Sequence, residues 1–116
     1  MKIAEERRSD VVVLKPDGNL DSSESPELEA AVLRIIDKGE TRLVVDLSSV
    51  AYITSRGLRV FLLGTKKMAE AGGRIAVCSL QDFVRKVFDT VGFHDVLTVF
   101  DSANQAVDSL SGEAGC

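Results

Sequence analysis

The densest gathering of chemically useful side chains is Asp46-Leu47-Ser48-Ser49-Val50-Ala51-Tyr52-Ile53-Thr54-Ser55-Arg56-Gly57-Leu58. It leads from the end of an apolar run, through a polar loop, into a helical pattern. In an open α/β sheet, ligands and partners meet the fold at the carboxyl ends of the strands. Hydroxyls at a helix start can also hold a phosphate, because free N–H groups and the positive end of the helix dipole point at it. The same residues have a plainer use. Thr54 or Ser55 would serve as an N-cap, and Asp46 would close the end of its strand. Pattern alone leaves both uses open.

Little else in the chain could do chemistry. His94, the one histidine, follows Gly92-Phe93 and reads as a solvated turn residue, with no cysteine or second histidine nearby to share a metal. A nucleophile and base pair would have to use this histidine, and nothing brings a serine to it. Gly72-Gly73 falls at a helix C-terminus, where the dipole repels phosphate. Cys78 closes the apolar run Arg74-Ile75-Ala76-Val77-Cys78 and reads as a small buried hydrophobe, while Cys116 ends a polar tail. Two such thiols make no disulfide framework and no metal pattern. The expectation is a protein-binding domain that is not an enzyme and carries no cofactor or metal.

The elements that must position these residues follow from hydrophobic spacing. Ile3 to Arg8 suits a charged edge strand, turned by Ser9-Asp10 into Val11-Val12-Val13-Leu14, which is apolar enough to be covered on both faces. Pro16-Asp17-Gly18 ends that strand. Ser25-Pro26 reads as an N-cap and first helical residue, followed by the apolar stripe Leu28, Ala31, Val32 and Ile35 and the stop at Gly39. Leu43 to Leu47 is a second buried strand. The helix from Ser55 is expected to bury Leu58, Phe61, Leu62, Thr65 and Met68. Ile75 to Cys78 is a third core strand. Ser79-Leu80-Gln81-Asp82 resembles a capping box before a helix bearing Val84, Val87, Phe88 and Val91. Val96 to Phe100 is a last strand, and Asp101 would cap a helix with Ala103, Ala106, Val107 and Leu110. Alternating strands and helices imply a largely parallel sheet, made mixed by the first hairpin.

A chain of 116 residues, 45% of them apolar, holds one domain with a real core. Its net charge of -4 gives no footprint for a phosphate backbone, so nucleic acid is not an expected partner. No apolar run approaches the ~20 residues of a membrane span. With no signal-peptide pattern at Met1 to Glu6, the expected location is the cytoplasm. No helix shows a second apolar face, so the expected free state is a monomer.

The segment from Asp46 resembles the signature of the STAS domain family, and within it the bacterial anti-sigma factor antagonists, of the form Asp-Leu-Ser-x-Val-x-x-Ile/Met-Asp-Ser-Ser-Gly-Leu. Asp46-Leu47-Ser48, Val50, Ile53, Ser55, Gly57 and Leu58 match it. A second family feature, Gly-x-Leu-Asp after the second strand, is matched by Gly18-Asn19-Leu20-Asp21. The resemblance implies a STAS fold over residues 1–110, with a mixed sheet of four to five strands and about four helices, and a flexible tail at 111–116.

It also implies partner switching. The antagonist would bind an anti-sigma factor that is a serine kinase and so release a sigma factor. Phosphorylation at the start of the second helix would end the complex, and a metal-dependent serine phosphatase would reset it. The implied binding face combines Gly18, Asp21 and Ser23 with Thr54, Ser55, Arg56 and Arg59, while Asp46, Ser48, Gly57 and Leu58 serve the motif structurally. Two positions depart from the pattern. The serine usually phosphorylated is Arg56 here, and the aspartate before the pair is Thr54. Ser55 is then the nearest acceptor, with Thr54 behind it. The other reading is a STAS adaptor without phosphorylation, in a signalling scaffold or a lipid-transport complex, with Arg56 pairing to an acidic group on its partner.

Overall fold

Residues 1–111 are described by a computed structural model, and the rest of the expected tail, with Cys116, lies outside the described residues. Strands β1 (Lys2–Arg8) and β2 (Val11–Asp17) form the expected antiparallel hairpin, turning at Ser9 with φ 61°. Then follow α1 (Ser25–Asp37), β3 (Arg42–Asp46), α2 (Ser55–Glu70), β4 (Arg74–Cys78), α3 (Asp82–Val91), a 3-10 turn (Phe93–Asp95), β5 (Thr98–Phe100) and α4 (Ala103–Leu110). The sheet order is β1-β2-β3-β4-β5, with every pair after the first parallel. The expected mixed sheet and four helices are both present.

The unbroken apolar runs of β2, β3 and β4 have a two-sided cause. Successive strand residues point to opposite faces. Val12, Leu14, Leu43, Val45, Ile75 and Val77 face a core built with α1, α2 and α3. Val11, Val13, Val44, Ala76 and Cys78 face a smaller core closed by Ala106, Val107 and Leu110 of α4. Burial of a side chain of this size is worth about 1.5–3 kcal/mol. These three strands are therefore the anchored part of the molecule, and the loops at their carboxyl ends are held from below. The outer strand β1 is charged and exposed along most of its length, which blunts that sheet edge.

Several local expectations are corrected. Ser25 is the first residue of α1 and is buried, with no partner on its hydroxyl, whereas Glu24 holds the cap position. The Ser79 to Asp82 capping box does not form. Gln81 precedes α3 without a side-chain cap, and Ser79 instead takes a left-handed φ of 62°. The cap of α4 is Ser102, whose hydroxyl accepts from Gln105 N at 3.2 Å, and not Asp101. β5 begins at Thr98, because the turn after α3 takes up Phe93 to Asp95.

The buried face of α2 runs through Gly57, Val60, Phe61, Gly64 and Met68, leaving Leu62 45% exposed. Its two glycines let the helix lie close to its neighbours. A Cβ on Gly64 would stand 3.2 Å from Val32 Cγ1 and 3.4 Å from Ile75 Cδ1. That close approach rotates the helix away from the face expected from Leu58, Leu62 and Thr65. The premise that no helix has a second apolar face also fails. Phe83, Val87 and Val91 repeat at four-residue spacing along α3, and Phe83 and Val91 are about half exposed.

Candidate functional site

Two loops meet at the carboxyl end of the central strands. One leaves β2 at Gly18, and the other leaves β3 at Asp46 and enters α2. They are joined by backbone. Leu20 N donates to Tyr52 O at 3.0 Å and Thr54 N to Leu20 O at 3.0 Å, with Leu20 and Ile53 forming a parallel bridge. Gly18 N reaches Ser49 O at 3.4 Å. Leu20 and Ile53 are buried, so this miniature sheet is clamped onto the core.

Packing explains why position 57 is glycine. A Cβ there would lie 2.7 Å from Leu20 O, 2.8 Å from Ile53 Cγ1 and 2.8 Å from Leu20 Cβ. The first turn of α2 is thus pressed against the loop junction, and only glycine leaves room. Leu58 beside it packs partly buried against the core. Gly18 has φ 141°, a backbone state that suits glycine.

Asp21 works within the fold. Its Oδ1 accepts from Glu24 N at 2.9 Å, Ser23 N at 3.0 Å and the Ser23 hydroxyl at 2.9 Å. The bond from Glu24 N, with help from Ser23, holds the carboxyl below the usual aspartate range. Asp21 O also accepts from Ser25 N at 2.9 Å. The carboxylate therefore organises the turn into α1, the task expected of Ser25. Asp46 closes the end of β3, its Oδ1 accepting from Ser48 N at 2.9 Å, and Ser48 O accepts from Gln81 Nε2 at 2.8 Å.

The two hydroxyls at the start of α2 differ. Thr54 Oγ1 donates to Leu20 O at 3.1 Å and so is spent on the loop junction. Thr54 is the residue before α2, yet its side chain caps nothing. Ser55 is exposed, and its hydroxyl has no hydrogen-bond partner among the described residues. Arg56 Nη1 donates to Glu29 Oε1 at 3.2 Å, tying α2 to α1. The guanidinium pictured as reaching a partner's acid already holds an acid of its own chain. Arg59 is exposed and forms no ion pair among the described residues.

All the expected site residues fall at this one end of the molecule, with Asp46 and Ser48 bracing it where β3 gives way to the loop. Sequence reasoning missed Leu20 as the hub of the junction, Glu29 as the partner of Arg56, and a stacked pair of exposed rings. Tyr52 and Phe83 lie with centroids 5.2 Å apart and planes at 16°, each nearly half exposed. The signal for Phe83 was its four-residue spacing to Val87. His94 is exposed beside Asp89, and no cluster of His, Cys, Asp and Glu that could hold a metal occurs among the described residues.

The STAS domain family model matches residues 2–106. The chain belongs to the STAS domain family. This STAS domain is 35% identical over 106 residues to BtrV of Bordetella bronchiseptica, provisionally named an anti-sigma factor antagonist, covering 91% of each chain. It is 24% identical over 111 residues to the anti-sigma F factor antagonist of Paenibacillus polymyxa, covering 95% of each. Its fold is similar to that of the Bacillus cell fate determinant SpoIIAA, solved in its phosphorylated form, with TM-score 0.72 and 20% identity over 93% of this chain and 98% of that one. The five-stranded sheet with four helices is thus the STAS architecture, and the loop junction built by Leu20, Ile53 and Gly57 lies where its two motifs converge. No helix among the described residues is long and apolar enough to cross a membrane.

Proposed function

We propose that this STAS domain is an anti-sigma factor antagonist that acts by binding and performs no catalysis. Its partner is an anti-sigma factor with serine-kinase activity, its phosphoacceptor is Ser55, and a metal-dependent serine phosphatase restores it. The names of its relatives support the first part. The observation that carries the second is the contrast at the start of α2, where the Ser55 hydroxyl is exposed and uncommitted while that of Thr54 is held by Leu20 O. A phosphate on Ser55 adds about -1.5 to -2 charges. The N-terminal end of α2 tolerates that charge in the free protein. Inside an interface the same charge must be desolvated, and the complex parts without either protein refolding.

The test compares Ser55→Ala and Ser55→Asp. The alanine variant is expected to bind the anti-sigma factor and resist phosphorylation, and the aspartate variant to bind at least tenfold more weakly. Equal binding by both would remove the switch. A second reading, a constitutive STAS adaptor of a scaffold or lipid-transport complex, draws on Arg56 standing at the family's usual acceptor position.

A further inference from the structure

The outer face of α2 departs from a rule that its neighbours obey. α1 and α3 carry an acidic residue in the first turn, Glu27 and Asp82, as the positive end of a helix dipole favours. α2 has no acidic residue there and carries Arg56 instead, then Arg59, Lys66 and Lys67, against Glu70 alone. Arg56 is neutralised by Glu29. Arg59, Lys66 and Lys67 form no ion pair among the described residues, in a chain whose net charge is -4. Lys67 suits the negative end of the helix dipole, but Arg59 stands in the N-terminal half of α2 with no ion pair, which leaves its charge available to a partner.

These charges also frame an apolar hollow. Glu29 of α1 and Arg59, Leu62, Leu63 and Lys66 of α2 line a groove of about 300 Å³. Leu62, expected in the core, is 45% exposed at its edge. Ser55, Arg59, Leu62 and Lys66 follow one another at spacings of four, three and four, the repeat of a single helix face.

We propose that this face receives an acidic amphipathic helix of the partner protein. Its carboxylates pair with Arg59 and Lys66, and an apolar side chain between them covers Leu62 and Leu63. The choice of partner rests on charge complementarity, and the inference rests on the antagonist reading while extending the binding face about three turns beyond Ser55. It also gives the phosphate a direct role. A phosphate on Ser55 stands one turn from Arg59, where it pairs with that guanidinium and repels the incoming carboxylates.

The test is calorimetric titration of the full chain with the anti-sigma factor that co-purifies with it, at about 0.05 and 0.3 M salt. The double variant Arg59→Glu, Lys66→Glu is expected to bind at least tenfold more weakly at low salt and to lose most of the salt dependence. Leu62→Ser is expected to weaken binding at both salts, and Lys86→Glu on α3 to leave it unchanged. All four positions are exposed, so unfolding midpoints serve as the folding control. Wild-type affinity in the double variant, or equal loss in Lys86→Glu, would overturn the docking face and leave the antagonist reading standing. Loss of self-association in place of partner binding would assign the groove to a second copy and overturn the proposal. Failure of the wild-type chain to bind any anti-sigma factor would overturn both.

Discussion

Gly57→Ala separates this account from ordinary helix energetics, because the two give opposite signs. In an exposed helix, replacing glycine with alanine stabilises by about 1 kcal/mol through backbone propensity. Here the new Cβ meets Leu20 O at 2.7 Å and Ile53 Cγ1 at 2.8 Å. Neither neighbour is a free end. Leu20 O is backbone and already accepts from Thr54 N and Thr54 Oγ1, and Ile53 is buried. Overpacking of this kind costs about 1–3 kcal/mol, and each of the two bonds to Leu20 O that must stretch is worth about 0.5–1.5 kcal/mol. With the propensity gain subtracted, the expected result is a net loss of about 3 kcal/mol, close to 12 °C in midpoint for a domain of this size. Urea unfolding at unchanged slope measures the stability. Binding to the anti-sigma factor should fall as well, because Thr54 and Ser55 move with the junction. A Gly57→Ala chain as stable as wild type, or more stable, would refute the close packing of α2 on the Leu20 loop.

Further outcomes follow from other parts of the molecule. Asp21 has its carboxyl held below the ordinary value of 3.8, so its contribution is complete above that value and is lost as pH falls through the lower folded value. Acid unfolding between about pH 2 and 5 should therefore be shallower for Asp21→Asn than for wild type, and identical slopes would contradict the role given to this carboxylate. Burial pushes the Cys78 thiol up to about 11, so alkylation at about pH 8 should spare it in the native protein and reach it in denaturant. Phe88 is fully buried and meets Phe61 and Phe93 edge-on at centroid distances of 6.0 and 5.1 Å. Phe88→Ala should cost about 3–5 kcal/mol by urea unfolding.

Much of the fold is legible in the sequence because burial on two faces leaves a strong mark. β2, β3 and β4 each carry an unbroken apolar run, and such runs have few other uses. The helix starts are harder to read. Ser25 beside a proline is a fair cap by composition, yet the turn into α1 is organised by Asp21, four residues earlier, and the Ser25 hydroxyl ends up buried. Serine, aspartate and glutamate near a helix start compete for the same N–H groups, and backbone path decides which reaches them.

The candidate site shows the same division. Its two motifs are visible as strings, but their meeting is not. The bond from Thr54 to Leu20 spans 34 residues and the pair of Arg56 with Glu29 spans 27. The rotation of α2 that exposes Leu62 follows from how closely Gly57 and Gly64 let it approach, a property of the packed pair that no single helix periodicity contains.

The central claim is partner switching through Ser55. The most direct measurement is affinity capture of the chain from its native cells, with mass spectrometry reading both the captured proteins and the peptide that contains Ser55. The expected result is a kinase-type anti-sigma factor in the bound fraction and phosphate on Ser55 in the unbound pool. A stable scaffold or transporter complex, with Thr54 and Ser55 unmodified in both pools, would contradict the claim and leave a constitutive adaptor in its place.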